Sequence, residues 1–129
     1  QMLLDESDEF EVTDGLGLIS GRVEKFPEIK EKNNYIKIPQ INWHEIVPGI
    51  SNISWKNSLL KEHMSTDSLY FVHSFVARPS NVNHILANYN CYGIKIPALI
   101  IKDNIIGCQF HPEKSGDAGL KILKNFMSM

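Results

Sequence analysis

The run SLYFVHSFVA, residues 68–77, constrains the fold more than any other stretch of this sequence of 129 residues. It is almost continuously apolar and rich in aromatic and β-branched side chains, which is typical of a strand buried on both faces. Such a strand needs neighbours at its edges and helices that cover the sheet. The run therefore predicts a mixed α/β sheet in a single domain, and the chain is long enough to build a sizeable core.

The rest of the sequence predicts further strands and a closing helix. The stretch NCYGIKIPALIIKDNIIGCQF predicts three strands, with Asp103-Asn104 as a tight hairpin turn. Turn glycines surround short apolar runs at 16–19 and 22–26, PEIKEKNN predicts a polar surface loop, and residues 51–65 predict a short irregular helix. QMLLDESDEF is interpreted as the tail of a helix. A last helix from Asp117 would bury an apolar face of Leu120, Ile122, Leu123, Phe126 and Met127.

Composition argues against several classes of function. The net charge is -2 and the lysines are scattered, which does not favour a nucleic-acid partner. No apolar run is long enough to span a bilayer and no segment resembles a signal peptide, so no membrane partner is expected. Two cysteines without CxxC spacing predict neither a zinc site nor a disulfide framework, and they suit a reducing cytoplasm. The histidines show no ligand spacing, and we expect no metal and no cofactor.

The tripeptide His111-Pro112-Glu113 ends an apolar run at a predicted strand end. Proline disfavours helix for the residue before it, so His111 and Glu113 should lie in extended backbone and point to the same side. A carboxylate on one ring nitrogen fixes the tautomer and leaves the other nitrogen as a base. Taken alone, the tripeptide favours a loop histidine beside a solvated glutamate over a catalytic pair, because short motifs often occur without function.

Four segments, in order along the chain, resemble the class I glutamine amidotransferases. GCQFHPEKSGDAGLKILKNF resembles their C-terminal signature, and its Lys-Ser and ILKNF resemble one branch, the glutaminase subunits of imidazole glycerol phosphate synthase in histidine biosynthesis. QMLLDESDEF with DGLGLISGRVEKF is similar to the segment that follows the family's nucleophile elbow. KIPQINWHEI is similar to Pro-His-Met-Gly-Trp-Asn, and LYFVHSF is similar to the strand Tyr-Phe-Val-His-Ser/Thr-Tyr.

The resemblance implies a flavodoxin-like, three-layer α/β fold with a mixed central sheet, of which residues 1–129 would be the C-terminal portion. The family's elbow is Gly-x-Cys-x-Gly-x-Gln, and Gln1 matches its last residue, so the nucleophilic cysteine is expected four positions before Gln1. Cys91 and Cys108 are interpreted as small buried residues instead. The chain of 129 residues alone is therefore expected to be inactive.

The resemblance also implies roles for individual residues. His111 would protonate the departing ammonia and then activate water, with Glu113 orienting it. Ammonia would pass to a (β/α)8-barrel synthase (cyclase) subunit. The residues that bind the substrate glutamine would be Gln1, Glu9, Ser74 and Phe75. The residues that contact the synthase near the ammonia path would be Trp43, Tyr70 and Lys114.

Several of these roles have a structural alternative. Glu9 could be a solvated helix residue, Phe75 is better interpreted as strand core, and Trp43 could equally be a core residue. Asn42-Trp43-His44 stands where the family has Gly-Trp-Asn, and Gln40 stands where it has His. These departures leave two alternatives open: a paralogous glutaminase that supplies ammonia for amidation of a surface sugar, and a non-catalytic docking module that keeps the fold.

Overall fold

The computed structural model describes residues 1–31 and 34–129, which form eleven strands and one α-helix. Three short 3-10 turns, Trp55–Asn57, Val82–His84 and Pro112–Lys114, lie between them. The strands are β1 Glu6–Ser7, β2 Thr13–Asp14, β3 Gly21–Lys25, β4 Lys30–Glu31, β5 Asn34–Tyr35, β6 Gln40–Pro48, β7 Ser68–His73, β8 Phe75–Pro79, β9 Ile85–Cys91, β10 Ile94–Lys102 and β11 Ile105–Cys108, and the helix α1 is Gly116–Met127.

Two sheets carry the fold. A five-stranded sheet has the order β11-β10-β9-β6-β7, and all its neighbours are antiparallel. A four-stranded sheet has the order β2-β1-β3-β8 and is mixed, because β1 runs parallel to β3. The expected sheet-dominated α/β fold is confirmed, and its larger core lies around the buried rings of Phe71 and Tyr89.

The run at 68–77 is not one strand buried on both faces, as predicted. It divides at Ser74 into β7, which pairs with β6, and β8, which pairs with β3 in the other sheet. In β7 buried residues alternate with half-buried ones, which is the pattern of a strand with one face on the core. Tyr70 and Val72 on the outer face made the run look uniformly apolar, and β7 is an edge strand.

The first residues do not form the predicted helix tail. Leu3 and Leu4 use their carbonyl groups to accept hydrogen bonds from the backbone of residues 17–19, and the side chain of Leu4 is fully buried. The Asp5 carboxylate accepts from the Gly21 amide at 2.8 Å. Tertiary partners thus take the backbone groups that a helix would have paired internally.

The closing helix is confirmed, but most of its predicted apolar face is wrong. Its buried residues are Gly119, Ile122 and Asn125, whereas Leu120, Phe126 and Met127 are more than half exposed. A Cβ at position 119 would lie 1.9 Å from the Pro112 carbonyl oxygen, so the helix packs there through bare backbone. Asn125 donates to the Leu59 carbonyl at 3.1 Å, and this bond explains its burial.

Other local predictions are confirmed or need adjustment. The Asp103-Asn104 turn is confirmed, since Lys102 pairs with Ile105. Residues 51–65 contain only the 3-10 turn Trp55–Asn57, and the run 22–26 coincides with β3, while 16–19 forms no strand. The predicted loop at 27–34 includes the short pair of β4 with β5, and its residues 32–33 lie outside the described part of the chain. Within residues 1–31 and 34–129, no helix has the length and apolarity needed to cross a membrane.

Candidate active site

The imidazole of His111 and the carboxylate of Glu113 are in direct contact. His111 is in extended backbone, as predicted. Glu113 lies in the 3-10 turn Pro112–Lys114, so the prediction that it is also extended is wrong. The turn nevertheless brings Glu113 Oε1 to 2.8 Å from His111 Nδ1. Because an ionised carboxylate only accepts hydrogen bonds, Nδ1 carries the proton and Nε2 carries the lone pair.

The charge state of Glu113 supports this assignment of the tautomer. Its own backbone amide and then the His111 ring donate to the carboxylate, and they lower the pKa of Glu113 below its ordinary value. Glu113 is exposed, and the His111 side chain retains 38% of its accessible surface. The pair is therefore an ionised acceptor with an accessible imidazole, which can give and take protons at Nε2.

A cavity of about 270 Å³ is lined by all four predicted substrate residues: Gln1, Glu9, Ser74 and Phe75. His73 and Gln109 also line this cavity, and Gln109 lies two residues before His111. A larger cavity of about 430 Å³ on the other side of Gln1 and Glu9 has a mainly apolar wall. The smaller cavity is the more polar one and suits an amino acid better.

The carbonyl of Phe75 is the centre of a hydrogen-bond network under this cavity. It accepts from Gln1 Nε2 at 3.0 Å and from His73 Nδ1 at 2.8 Å. Since Nδ1 of His73 must then carry the proton, Nε2 accepts from the Tyr89 hydroxyl at 2.9 Å. Burial lowers the pKa of His73, in agreement with a neutral ring. The network holds the chain at the break between β7 and β8, which is part of the cavity wall.

The three predicted interface residues lie together on the surface. Trp43 pairs with Tyr70 across β6 and β7, and their rings meet edge to face with centroids 5.6 Å apart. Lys114 Nζ lies 6.0 Å from the Tyr70 ring centroid, and the Tyr70 and His111 centroids are 6.4 Å apart. Trp43 is 50% exposed, so its interpretation as a core residue is wrong. We call Trp43, Tyr70 and Lys114 the aromatic patch.

The two cysteines differ in their surroundings. Cys91 is buried as predicted, and burial raises the pKa of its thiol. Cys108 is exposed, which contradicts its interpretation as a buried residue, because it ends β11 at the edge of the sheet. Desolvation of the sulfur still raises the pKa of the Cys108 thiol. A raised pKa is the opposite of what activates a thiol nucleophile.

The departures from the family motif at Gln40 and His44 pack against other residues of this chain. Gln40 is buried, and its side-chain amide donates to the Lys37 carbonyl at 2.8 Å. The His44 ring stacks on Tyr89 with centroids 4.5 Å apart. Both substitutions therefore concern the packing of the core, and they do not favour a different partner.

Two residues near His111 were not identified from the sequence. Gln109 accepts from Gln1 Nε2 at 3.4 Å and lines the cavity, and its position two residues before His111 on an extended chain is a signal that could have found it. Ser115 is bonded to the His111 carbonyl and to the Tyr70 amide, and only the tertiary structure shows the second bond. Among the described residues, no group of three or more His, Cys, Asp and Glu side chains is arranged to hold a metal ion.

Comparison with known proteins gives one family and a consistent set of relatives. The glutamine amidotransferase class-I family matches residues 27–129. The chain is 43% identical over 129 residues to imidazole glycerol phosphate synthase subunit HisH 1 of Legionella pneumophila (strain Lens), with all of this chain and 61% of that protein covered. The HisH subunit of Prochlorococcus marinus subsp. pastoris is 41% identical, with 98% and 57% covered, and that of Geobacillus sp. is 39% identical, with 100% and 58% covered. The chain thus spans about three fifths of the length of the curated relatives that it matches.

Proposed function

Because this chain belongs to the class I glutamine amidotransferase family, we propose that the whole protein is a glutaminase that releases ammonia from the side-chain amide of glutamine. The observation that carries the proposal is the 2.8 Å contact from His111 Nδ1 to Glu113 Oε1. It leaves Nε2 as an accessible base two residues along the chain from Gln109, which lines a polar cavity together with the predicted substrate residues.

The nucleophile in this proposal is a cysteine that precedes Gln1. In the family's elbow Gly-x-Cys-x-Gly-x-Gln, Gln1 stands at the last position, which puts the cysteine four positions earlier. The pKa of the thiol is raised in both Cys91 and Cys108, so neither is prepared to attack. The elbow cysteine would supply the sulfur, and His111 would supply the proton transfers.

The reaction then needs two proton transfers at one nitrogen atom. The thiolate forms a C–S bond to the amide carbon, the C–N bond breaks, and protonated His111 gives its Nε2 proton to the leaving nitrogen, which departs as ammonia. Neutral His111 then takes a proton from water as the water attacks the thioester. The C–S bond breaks, which restores the thiolate and releases glutamate. Glu113 stabilises the imidazolium form of His111 through Nδ1.

The substrate would lie in the cavity of about 270 Å³. Glu9 is an exposed carboxylate on its wall, and we propose that it pairs with the α-ammonium group of glutamine. Ser74 and Phe75 would contact the substrate largely through their backbone, whose position the His73 network fixes. Gln1, whose Nε2 donates to the Phe75 carbonyl at 3.0 Å, would contact the substrate next to Phe75.

The ammonia acceptor would be a (β/α)8-barrel synthase subunit that makes imidazole glycerol phosphate, in a heterodimer. The relatives at 43% and 41% identity are named as subunits of imidazole glycerol phosphate synthase. The aromatic patch offers an exposed tryptophan and a lysine beside His111, which suits docking near the site of ammonia release. The free cysteines suit a reducing compartment such as the cytoplasm.

Glutamate release from glutamine, measured with the barrel subunit present, tests this function. We expect turnover in the whole protein, which includes the proposed cysteine before Gln1, and a loss of at least about a hundredfold when it carries His111→Ala, because general acid-base catalysis contributes that much. His84→Ala is the control, since His84 lies in the Val82–His84 turn and does not line the cavity of about 270 Å³. A protein that is folded and does not release glutamate, or a His111→Ala variant as active as the control, would refute the proposal.

A further inference from the structure

The hydroxyl of Ser115 connects the backbones of His111 and Tyr70. Ser115 is 2% exposed. Its Oγ accepts from the Tyr70 amide at 2.9 Å and donates to the His111 carbonyl at 2.6 Å. The hydroxyl thus donates to one and accepts from the other of two segments that lie far apart in sequence.

A direct bond completes the connection on the other side. The His111 amide donates to the Tyr70 carbonyl at 2.9 Å. Both backbone groups of His111 are therefore tied to both backbone groups of Tyr70, one pair directly and one pair through the serine hydroxyl. This is the bonding of an antiparallel residue pair with a hydroxyl inserted on one side. It fixes the backbone of His111 against the edge of β7, while Glu113 fixes its ring.

The helix that follows does not explain the position of this hydroxyl. Ser115 is the residue before the first turn of α1, where a serine side chain usually accepts from a backbone amide of that turn. Ser115 makes no such capping bond. Its oxygen bonds to His111 and Tyr70 instead. The side chain therefore positions the candidate site and leaves the first turn of α1 without a side-chain cap.

We propose that Ser115 is a positioning residue that holds His111 at the angle needed for proton transfer. The proposal rests on the proposed glutaminase function. Ser115 does not line the cavity assigned to glutamine, so its loss should affect the chemical step and leave substrate binding unchanged. It acts through the main chain of His111 and has no contact with the reacting atoms.

Steady-state kinetics of glutamine hydrolysis test the role of the hydroxyl. We expect Ser115→Ala to lower kcat by at least about tenfold and to leave KM within about twofold. Ser58→Ala is a matched control, because Ser58 is also buried and its Oγ accepts from the Leu60 amide at 3.1 Å and donates to the Trp55 carbonyl at 3.0 Å. A kcat for Ser115→Ala within about twofold of the unaltered protein, or an equal loss in Ser58→Ala, overturns the proposal.

Nitrogen NMR of the His111 ring gives a second readout that needs no glutaminase activity. In the unaltered protein we expect one tautomer, protonated at Nδ1, and in Ser115→Ala a mixture of both, because the ring loses its alignment with Glu113. A single tautomer in the variant overturns the proposal even if the protein proves not to be a glutaminase. If the unaltered protein releases no glutamate but Ser115→Ala shows the expected mixture of tautomers, only the proposed function is refuted.

Amide hydrogen exchange covers the case in which Ser115→Ala does not fold. In the unaltered protein the Tyr70 amide should exchange at least about tenfold more slowly than the amide of Val72, which faces the same way on this edge strand. Equal exchange at the two positions would mean that the hydroxyl does not hold Tyr70, and the proposal would be wrong.

Discussion

His73 Nε2 accepts a hydrogen bond from the Tyr89 hydroxyl at 2.9 Å, and both residues are buried, at 6% and 0% exposure. The other ring nitrogen of His73 donates to the Phe75 carbonyl at 2.8 Å. The position of the cavity wall at Phe75 thus depends on a hydroxyl group in the centre of the core. This relationship gives a prediction about stability.

Tyr89→Phe should destabilise the protein by about 1–3 kcal/mol, because it leaves a buried nitrogen of His73 without a donor. The rest of the ring remains, so no cavity is created. Urea unfolding measures the change. Tyr92→Phe is the control, since Tyr92 is 53% exposed and should change the free energy of unfolding by less than about 0.5 kcal/mol. Equal effects of the two substitutions would contradict the bond to His73.

The protein should lose stability in mild acid. Burial lowers the pKa of His44, His63 and His73 below 6.5. As the pH falls below 6.5, the unfolded chain binds protons that the folded chain does not, so the free energy of unfolding decreases until the lowered pKa values are passed. A melting temperature that is lower at about pH 5 than at about pH 7 would agree with this sign. An unchanged or higher melting temperature in acid would contradict it.

His44→Phe should reduce this pH dependence and raise stability at neutral pH. The Nε2 atom of His44 is buried and has no hydrogen-bond partner among residues 1–31 and 34–129, so removing it should stabilise the protein by about 1 kcal/mol. A phenyl ring can keep the stack on Tyr89. Unfolding at two pH values tests both statements, and a loss of stability at neutral pH would show that His44 Nε2 has an unrecognised partner.

Local spacing accounts for what could be predicted from the sequence. The Asp103-Asn104 hairpin and the His111–Glu113 contact depend on residues at most a few positions apart. The division of 68–77 at Ser74 could not be predicted, since it depends on pairing of β8 with β3 in a second sheet. The buried face of α1 likewise depends on the Pro112 carbonyl, which excludes any side chain at Gly119. Ser115 and Tyr70 are 45 residues apart in the sequence, and no local pattern of residues predicts a hydrogen bond between them.

Glu113→Gln should lower glutaminase turnover by at least about tenfold, because a neutral amide does not stabilise the imidazolium form of His111. Folding should be intact, since the Glu113 side chain is 57% exposed. Glutamate release measures turnover, and thermal unfolding checks the fold. Glu28→Gln changes an exposed carboxylate elsewhere and should leave turnover unaffected. Turnover of Glu113→Gln equal to this control would mean that the carboxylate is only a surface charge.

Trp43→Ala should weaken binding of the (β/α)8-barrel subunit by at least about tenfold, because large aromatic side chains dominate protein interfaces. Trp43 is half exposed, so the free energy of unfolding should change little. Calorimetric titration with the barrel subunit measures the dissociation constant. Ile94→Ala is the control: Ile94 is 36% exposed and lies on β10, which β9 separates from β6, the strand that carries Trp43. Equal affinities of the two variants would place the interface elsewhere on the surface. A loss of affinity confined to Trp43→Ala would place it at the Trp43 ring, which contacts Tyr70, and Tyr70 in turn lies next to His111.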